Sequence, residues 1–204
     1  MKTKATYFLQ IFQQAIADYH ITDTIDKMPV NRYAAGSVEN LFFHKAAIDT
    51  VQWHVEDLIR DPGIDPSYGL FLKRKIDQLN QERTDTVERL DLYFFERYGQ
   101  QQRAGCRHNS ETLGWAYDRL CILELKSFHV GAELERPQIS QEHYKNCLSR
   151  SEIILCQKND LLNAIDWMTD DIIEGKINIK LYRQLKMYND RNFNPVLYAI
   201  TNPS

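Results

Sequence analysis

No apolar run in this chain approaches the roughly 20 residues that a membrane helix needs. The first residues, Met1 to Gln14, also lack the apolar core and cleavage site of a secretory leader. A cytoplasmic protein with no membrane span is therefore expected. Basic excess is missing too: 25 Lys and Arg stand against 28 Asp and Glu, a net charge of -3. A nucleic-acid phosphate backbone is accordingly not an expected partner. Cys106, Cys121, Cys147 and Cys156 include no C-x-x-C pair, which reads as reduced thiols and gives zinc little support. Strict apolar and polar alternation over six residues, internal repeats and low-complexity tracts are absent, so no strand is predicted. With 204 residues there is length for one well-buried core and too little for two, so residues 1–204 are read as one domain.

What is present is helical periodicity. Phe8, Ile11, Phe12, Ala15, Ile16 and Tyr19 share one face of a first helix, Thr3 to His20. Ser37 offers an N-cap for a second, running to Arg60, with Leu41, His44, Ile48, Val51, Val55 and Leu58 as its inward stripe. Asp65-Pro66 opens a third as cap and first-turn proline. It reaches Tyr98 on the stripe Leu72, Ile76, Leu79, Val87, Leu90 and Phe94, with Arg83 where an apolar residue is expected. A fourth, Asn109 to Val130, capped by Asn109 or Ser110, is apolar nearly all round, which places it at the centre of the bundle. It ends before Arg136-Pro137. Ser140 caps a fifth, to about Glu174, with Ile154, Leu161, Ile165, Met168 and Ile172 inward and Gly175 as its stop. A short sixth, Ile179 to Tyr188, leads to an apolar tail, Asn194 to Tyr198, expected to dock on the core. The predicted fold is an all-α, single-domain helical bundle of five to six helices.

Chemistry has three candidate carriers. Glu56, Asp57, Asp85, Glu88, Asp91, Asp166 and Asp170 spread over several helices, and converging carboxylates are how bundles hold Mg2+ or Mn2+. Glu88-x-x-Asp91 matches half of the paired acidic signature of all-α nucleoside triphosphate pyrophosphohydrolases, and the Glu-x-x-Glu half is missing. The competing account pairs Glu56 with Arg60 and Asp85 with Arg89 and leaves the rest solvated. Among histidines there is no Glu-x-x-His. His44 reads as a hydrogen-bonded core residue, and His54, beside Asp57, as a candidate for proton transfer or metal ligation. The basic set is Arg83, Arg119, Lys126, Arg183 and Lys186. If Arg83 and Arg119 face inward, each needs a carboxylate such as Asp118, Asp77 or Asp166, or an anionic ligand. Of the charges on the central helix, Asp118, Arg119, Glu124, Lys126 and His129, some must sit at helix interfaces, and those need partners from other helices.

The strings DTVQWHVEDLIRDP, IDQLNQERTDTVERLD, NSETLGWAYDRLCILELKSFH and YRQLKMYND resemble, in that order and over nearly the whole chain, the domain of unknown function 4254 family of bacteria, notably Bacteroidetes. The resemblance brings no established activity, cofactor or catalytic residue. It implies an association with surface-polysaccharide or lipopolysaccharide gene neighbourhoods, and so points towards sugar-nucleotide or glycan metabolism. The strings contain Trp53, His54, Glu56, Asp57, Arg60, Asn80, Arg83, Asp85, Asp118, Arg119, Lys126, Lys186, Tyr188 and Asn189.

These residues predict a charged pocket around His54, Arg83 and Arg119, with Glu56, Asp57, Arg60, Asp85, Asp118 and Lys126 as further candidates. One function that fits is binding or processing of a small phosphorylated metabolite such as a sugar nucleotide, with or without a divalent cation. Another, of a different class, is a non-catalytic interaction or scaffold protein whose charged core fixes helix register and whose aromatic-rich surface binds a protein or a second copy. A metal-dependent pyrophosphohydrolase is the third.

Overall fold

The computed structural model describes residues 5–101, 103–185 and 191–193. Five helices carry most of them: α1 (Ala5–Thr22), α2 (Val38–Leu58), α3 (Pro66–Tyr98), α4 (Leu113–Glu135) and α5 (Gln141–Ile173). Four of the starts use one device. Ser37, Asp65, Thr112 and Ser140 each accept, through a side-chain oxygen, the amide N–H three residues on, satisfying a donor the helix cannot. α1 begins differently, with the Ala5 amide donating to Asp166 of α5 at 2.7 Å.

The cap of α4 is Thr112, not the Asn109 or Ser110 read from sequence. Its hydroxyl accepts from the Trp115 amide and donates to Asp91 of α3 at 2.8 Å, so a tertiary contact fixes where the helix starts.

The α3 stripe lies inward as predicted, with Leu72, Ile76, Leu79, Val87, Leu90 and Phe94 all buried. Phe8 of α1 stacks on Phe42 of α2 at 3.9 Å between centroids, and Phe94 stacks on Tyr117 of α4 at 5.7 Å. Full burial of each such side chain contributes about 1.5–3 kcal/mol. A second cluster, Tyr19, Ile48, Val51, Val55, Leu72, Ile76 and Leu79, closes the other end.

On α2 the predicted stripe holds at Ile48, Val51 and Val55, which are buried, and fails at His44 and Leu58. Phe42, Lys45, Ala46 and Asp49 are buried, whereas His44 keeps about a third of its side chain exposed, 3.0 Å from Glu82, and Leu58 is also exposed. His44 is thus a surface pair and not a core residue. The reason is that α2 is covered on two sides, by α1 and by α3 with α4, so its buried arc exceeds a single stripe.

α4 packs on all four other helices and is central, as its sequence implied. It does have a solvent edge, formed by Arg119, Lys126 and Phe128. Its buried acid Glu124 is matched from two sides, by Lys158 of α5 at 2.8 Å and Gln13 of α1 at 3.0 Å.

After α5, Gly175 adopts φ of 70°, where a side chain would be strained. The chain then pairs Ile177 and Asn178 (β2) in parallel with Arg107 and His108 (β1). Two residues per strand are too few for any alternation to show, which is why this ladder was not predicted. Residues 179–185 are not helical, so the sixth helix does not form over its first seven residues. Its remainder, Lys186 to Tyr188, and the tail Asn194 to Tyr198 lie outside the described residues.

Candidate functional site

Lys45 and Asp49 sit one turn apart on the arc of α2 that faces α4. Lys45 is fully enclosed, bonded to Asp49 and 3.0 Å from Asp118 Oδ1 of α4. From α3, Arg83 donates through Nε to Asp118 Oδ1 at 2.8 Å and through Nη2 to Oδ2 at 2.6 Å, with Asp49 Oδ1 3.5 Å from Nε. Two cations and two carboxylates from three helices thus form a neutral group, the arrangement that makes buried charge tolerable. Burial acts against every charge here. It raises Asp118, but Lys45 and Arg83 overcome it and hold that carboxyl below its usual range. Burial likewise works to lower Lys45 and Arg83, yet their acidic partners leave both above their ordinary values. Cys121, also fully buried, has its thiol pushed well up, first by burial and then by Asp49, so it remains protonated.

Arg83 stands where two clefts meet. One, of about 600 Å³, runs between α4 and α5. Arg83, Arg119 and Lys126 line it with Asp118, Gln157 and Asp160, and Ile122, Leu123, Leu161 and Ala164 give it an apolar wall. The other, of about 200 Å³, lies against α2 and is lined by Asp49, Gln52, Trp53, Glu56, Asp57, Arg60, Arg83, Ile122 and Leu125. Gln52, which lines this second cleft, has its Oε1 buried and, among the described residues, without a hydrogen-bond partner, whereas Asp49 Oδ1, equally buried, has Arg83 Nε at 3.5 Å. Unmatched buried acceptors cost about 1–3 kcal/mol each, which suits a cleft that takes hydroxyl or amide donors.

Most of the predicted residues therefore do meet, but not all. Arg83, Asp118, Arg119 and Lys126 share the larger cleft, and Glu56, Asp57 and Arg60 share the smaller. Arg119 is not an inward cation: its side chain is 59% exposed and pairs with Glu111 at 3.2 Å. Glu56 engages Arg60, as the surface account expected, and so does Asp57, which that account left solvated. Asp85 does not join them. It is exposed, accepts from Gln81 at 2.7 Å, and lies with Glu88 in a separate groove beside Leu181 and Tyr182. Asp91 lines that same groove, but its buried carboxylate is taken up by the Thr112 hydroxyl and the Gly114 amide, and Asp166 caps α1. The acidic set is thus divided, with Glu56 and Asp57 in one cleft and Asp85, Glu88 and Asp91 in another. Among the described residues, no three of these carboxylates lie close enough to share a cation. The divalent carboxylate site and the pyrophosphohydrolase reading lose their geometric basis here.

Lys45 and Asp49 were not singled out in the sequence, although Asp49 opens one of the family strings. His54 is not in the charged cluster. It meets His20 of α1 and His129 of α4.

A family model described as "Protein of unknown function (DUF4254)" matches residues 39–181, which span α2 to the segment just after β2 and so contain both clefts. No curated protein and no solved structure matches the chain.

Proposed function

The chain belongs to the DUF4254 family, and we propose that it binds a small phosphorylated metabolite, such as a sugar nucleotide, in the cleft between α4 and α5. One observation carries this reading: Arg83, Arg119 and Lys126 line one cleft together with apolar side chains from α4 and α5. Guanidinium and ammonium groups suit phosphate oxygens, and Ile122, Leu123, Leu161 and Ala164 suit the face of a base or a sugar ring. Arg83 is balanced within the neutral group of Lys45, Asp49 and Asp118, so the positive charge this cleft offers a phosphate comes from Arg119 and Lys126. Arg119 is held only by an exposed pair worth about 0–1 kcal/mol, so turning it to a phosphate costs little. The neighbouring cleft, with Trp53, Gln52, Glu56 and Asp57, offers the aromatic surface and acceptors a sugar would use. A cytoplasmic setting is part of the proposal, and the four free cysteines accord with a reducing compartment.

Thermal melting with inorganic phosphate, nucleoside diphosphates and nucleotide sugars tests it. A ligand at 100 times its dissociation constant adds about 2.7 kcal/mol to the folded state. A rise in melting temperature that the double variant Arg119→Ala/Lys126→Ala abolishes is the expected result. No rise, or an equal rise in that variant, would reject the cleft.

A second reading, contact with a second copy or another protein, is favoured by α5. Tyr144, Leu148 and Leu155 are exposed along one side of it, and Ile153 and Trp167 along another, the face on which this reading rests. Sedimentation analysis at micromolar concentration separates a monomer from a dimer, and Trp167→Glu should disperse a dimer built on this face.

A further inference from the structure

His20 ends α1, His54 lies in the last turns of α2 and His129 in the last turns of α4, and no sequence spacing links them. Yet one ring nitrogen from each lies within 4.8 Å of one from each of the others. The His20 and His54 Nε2 atoms are 3.2 Å apart. A dication bound by imidazoles at about 2.0–2.1 Å in tetrahedral geometry holds its nitrogens about 3.4 Å apart. One pair is therefore already at coordination distance, and the third ring needs a shift of about an ångström or so.

The supports of these rings match what ligation requires. His20 Nδ1 lies 2.7 Å from the Ile16 carbonyl. A carbonyl only accepts, so Nδ1 carries the hydrogen and Nε2 keeps the lone pair that a metal would take. His129 Nε2 is buried and has no hydrogen-bond partner, a group that goes unmatched when the trio stands alone. Trp53 stacks on His129 at 4.6 Å and 7°, and Tyr19 on His54 at 4.9 Å and 25°, fixing both ring planes. Asp23, the residue after α1, holds a positive φ of 45° and puts Oδ1 4.0 Å from His54 Nε2. A carboxylate at that separation can reach the metal directly or through water.

We infer that His20, His54 and His129 form a three-imidazole site for a transition-metal dication of the Zn2+ class, with the fourth coordination position left to water or Asp23. Imidazole ligands select Zn2+, Co2+, Ni2+ or Cu2+ over Mg2+. Three protein ligands with one open position is the pattern of sites that activate water or a substrate oxygen. Burial, then the neighbouring histidines, lowers both His54 and His129, the latter to about 4. A metal-free cluster held by ring stacking and a His54–His20 hydrogen bond accounts for the contacts of Trp53 and Tyr19 and for the 3.2 Å separation, but not for His129 Nε2, which is unmatched among the described residues. The inference is independent of the phosphate cleft, since none of its three ligands lines that cleft.

The test uses the full chain without an affinity tag, stripped with chelator and titrated with Co2+ and with Zn2+. Expected are one Co2+ per chain, visible absorption of the tetrahedral type without a thiolate charge-transfer band, displacement by Zn2+ and none by Mg2+. His129→Gln and His54→Gln, each checked for its helical signal by circular dichroism, should weaken binding by more than about tenfold, since even outer-shell partners cost about 10–100-fold. His143→Gln, which alters a histidine beside Glu133 and Cys147, should leave it unchanged. Absence of a stoichiometric cobalt spectrum in the parent overturns the site, whatever the variants do. Loss of binding in His143→Gln, with retention in His54→Gln and His129→Gln, overturns it equally.

Discussion

Arg83 holds Asp118 in a two-pronged grip, Nε to Oδ1 at 2.8 Å and Nη2 to Oδ2 at 2.6 Å, while Lys45 reaches the same carboxylate at 3.0 Å. The group of Lys45, Asp49, Arg83 and Asp118 is neutral only as a set. Asp118→Leu leaves two cations facing one acid, and a buried charge stripped of its partner costs about 3–5 kcal/mol. Asp118→Leu with Lys45→Met returns the balance to one Arg83 and one Asp49, and should recover much of that loss. Urea midpoints at unchanged slope measure both. A single variant that loses less than about 1 kcal/mol would mean that water enters the cluster.

Arg119 and Lys126 should behave in the opposite way. Both are on the exposed edge of α4, and Arg119 has only Glu111 as a surface partner. Arg119→Met should therefore change stability by no more than about 1 kcal/mol, whereas Lys45→Met, at a fully enclosed position, should be severely destabilising. A large loss in Arg119→Met would show that its side chain spends its time inward, towards the cleft floor.

The contrast between these two arginines shows what the sequence could convey. Arg83 interrupts a clean stripe, and the six apolar residues around it fix which way it faces, so its need for a carboxylate was legible. Arg119 rides on a helix with apolar residues on nearly every side. Its periodicity alone could not say which narrow sector α3 and α5 leave open. Lys45 and Asp49 were hidden for a related reason. A polar residue on a helix enclosed from two sides looks like part of a solvent face. The histidine trio was beyond reach because His20, His54 and His129 meet only through the packing of α1, α2 and α4. Helix starts were readable where a lone Ser or Asp precedes an apolar run, as at Ser37, Asp65 and Ser140. Among the consecutive polar residues before α4, the contact with Asp91 decided the cap.

Gly114 supplies a prediction in which propensity and packing disagree. Gly114 is the second residue of α4, where Ala is the better helix former, by up to the roughly 1 kcal/mol of an interior position. Here a Cβ would lie 2.7 Å from the Val87 carbonyl and 2.6 Å from Asp91 Oδ1, closer than any real contact. The Gly114 amide also donates to Asp91 at 2.7 Å, so relief by separation breaks that bond. Gly114→Ala should destabilise by roughly 2–4 kcal/mol, combining overpacking with the lost hydrogen bond. A gain in stability on thermal or urea unfolding would show that α3 and α4 stand further apart than this.

Asp91 accepts from the Thr112 hydroxyl at 2.8 Å and the Gly114 amide at 2.7 Å, but faces no cation in the contacts that hold it. Burial pushes its carboxyl up from 3.8 to about 6, against the pull of those two hydrogen bonds and with a further push from Glu88 and Glu111. Between about pH 4 and 6 the folded protein keeps a proton that the unfolded chain has released. Its contribution is thus fully present below about pH 4 and is lost as pH rises to about 6. At 1.36 kcal/mol per unit the loss is at most about 3 kcal/mol. Asp118, held low, runs the other way across a lower pH range, so the parent must be compared with a variant and not read alone. Asp91→Asn keeps an acceptor for Gly114, and the Thr112 hydroxyl can reverse to accept from the new amide, so the titration is removed with little change in shape. Urea unfolding at pH 4 and pH 6.5 should show the parent losing stability relative to Asp91→Asn over that interval. A difference constant to within about 0.5 kcal/mol would mean that the Asp91 carboxyl ionises as it would in water, and that the start of α4 is wetter than its packing against α3 indicates.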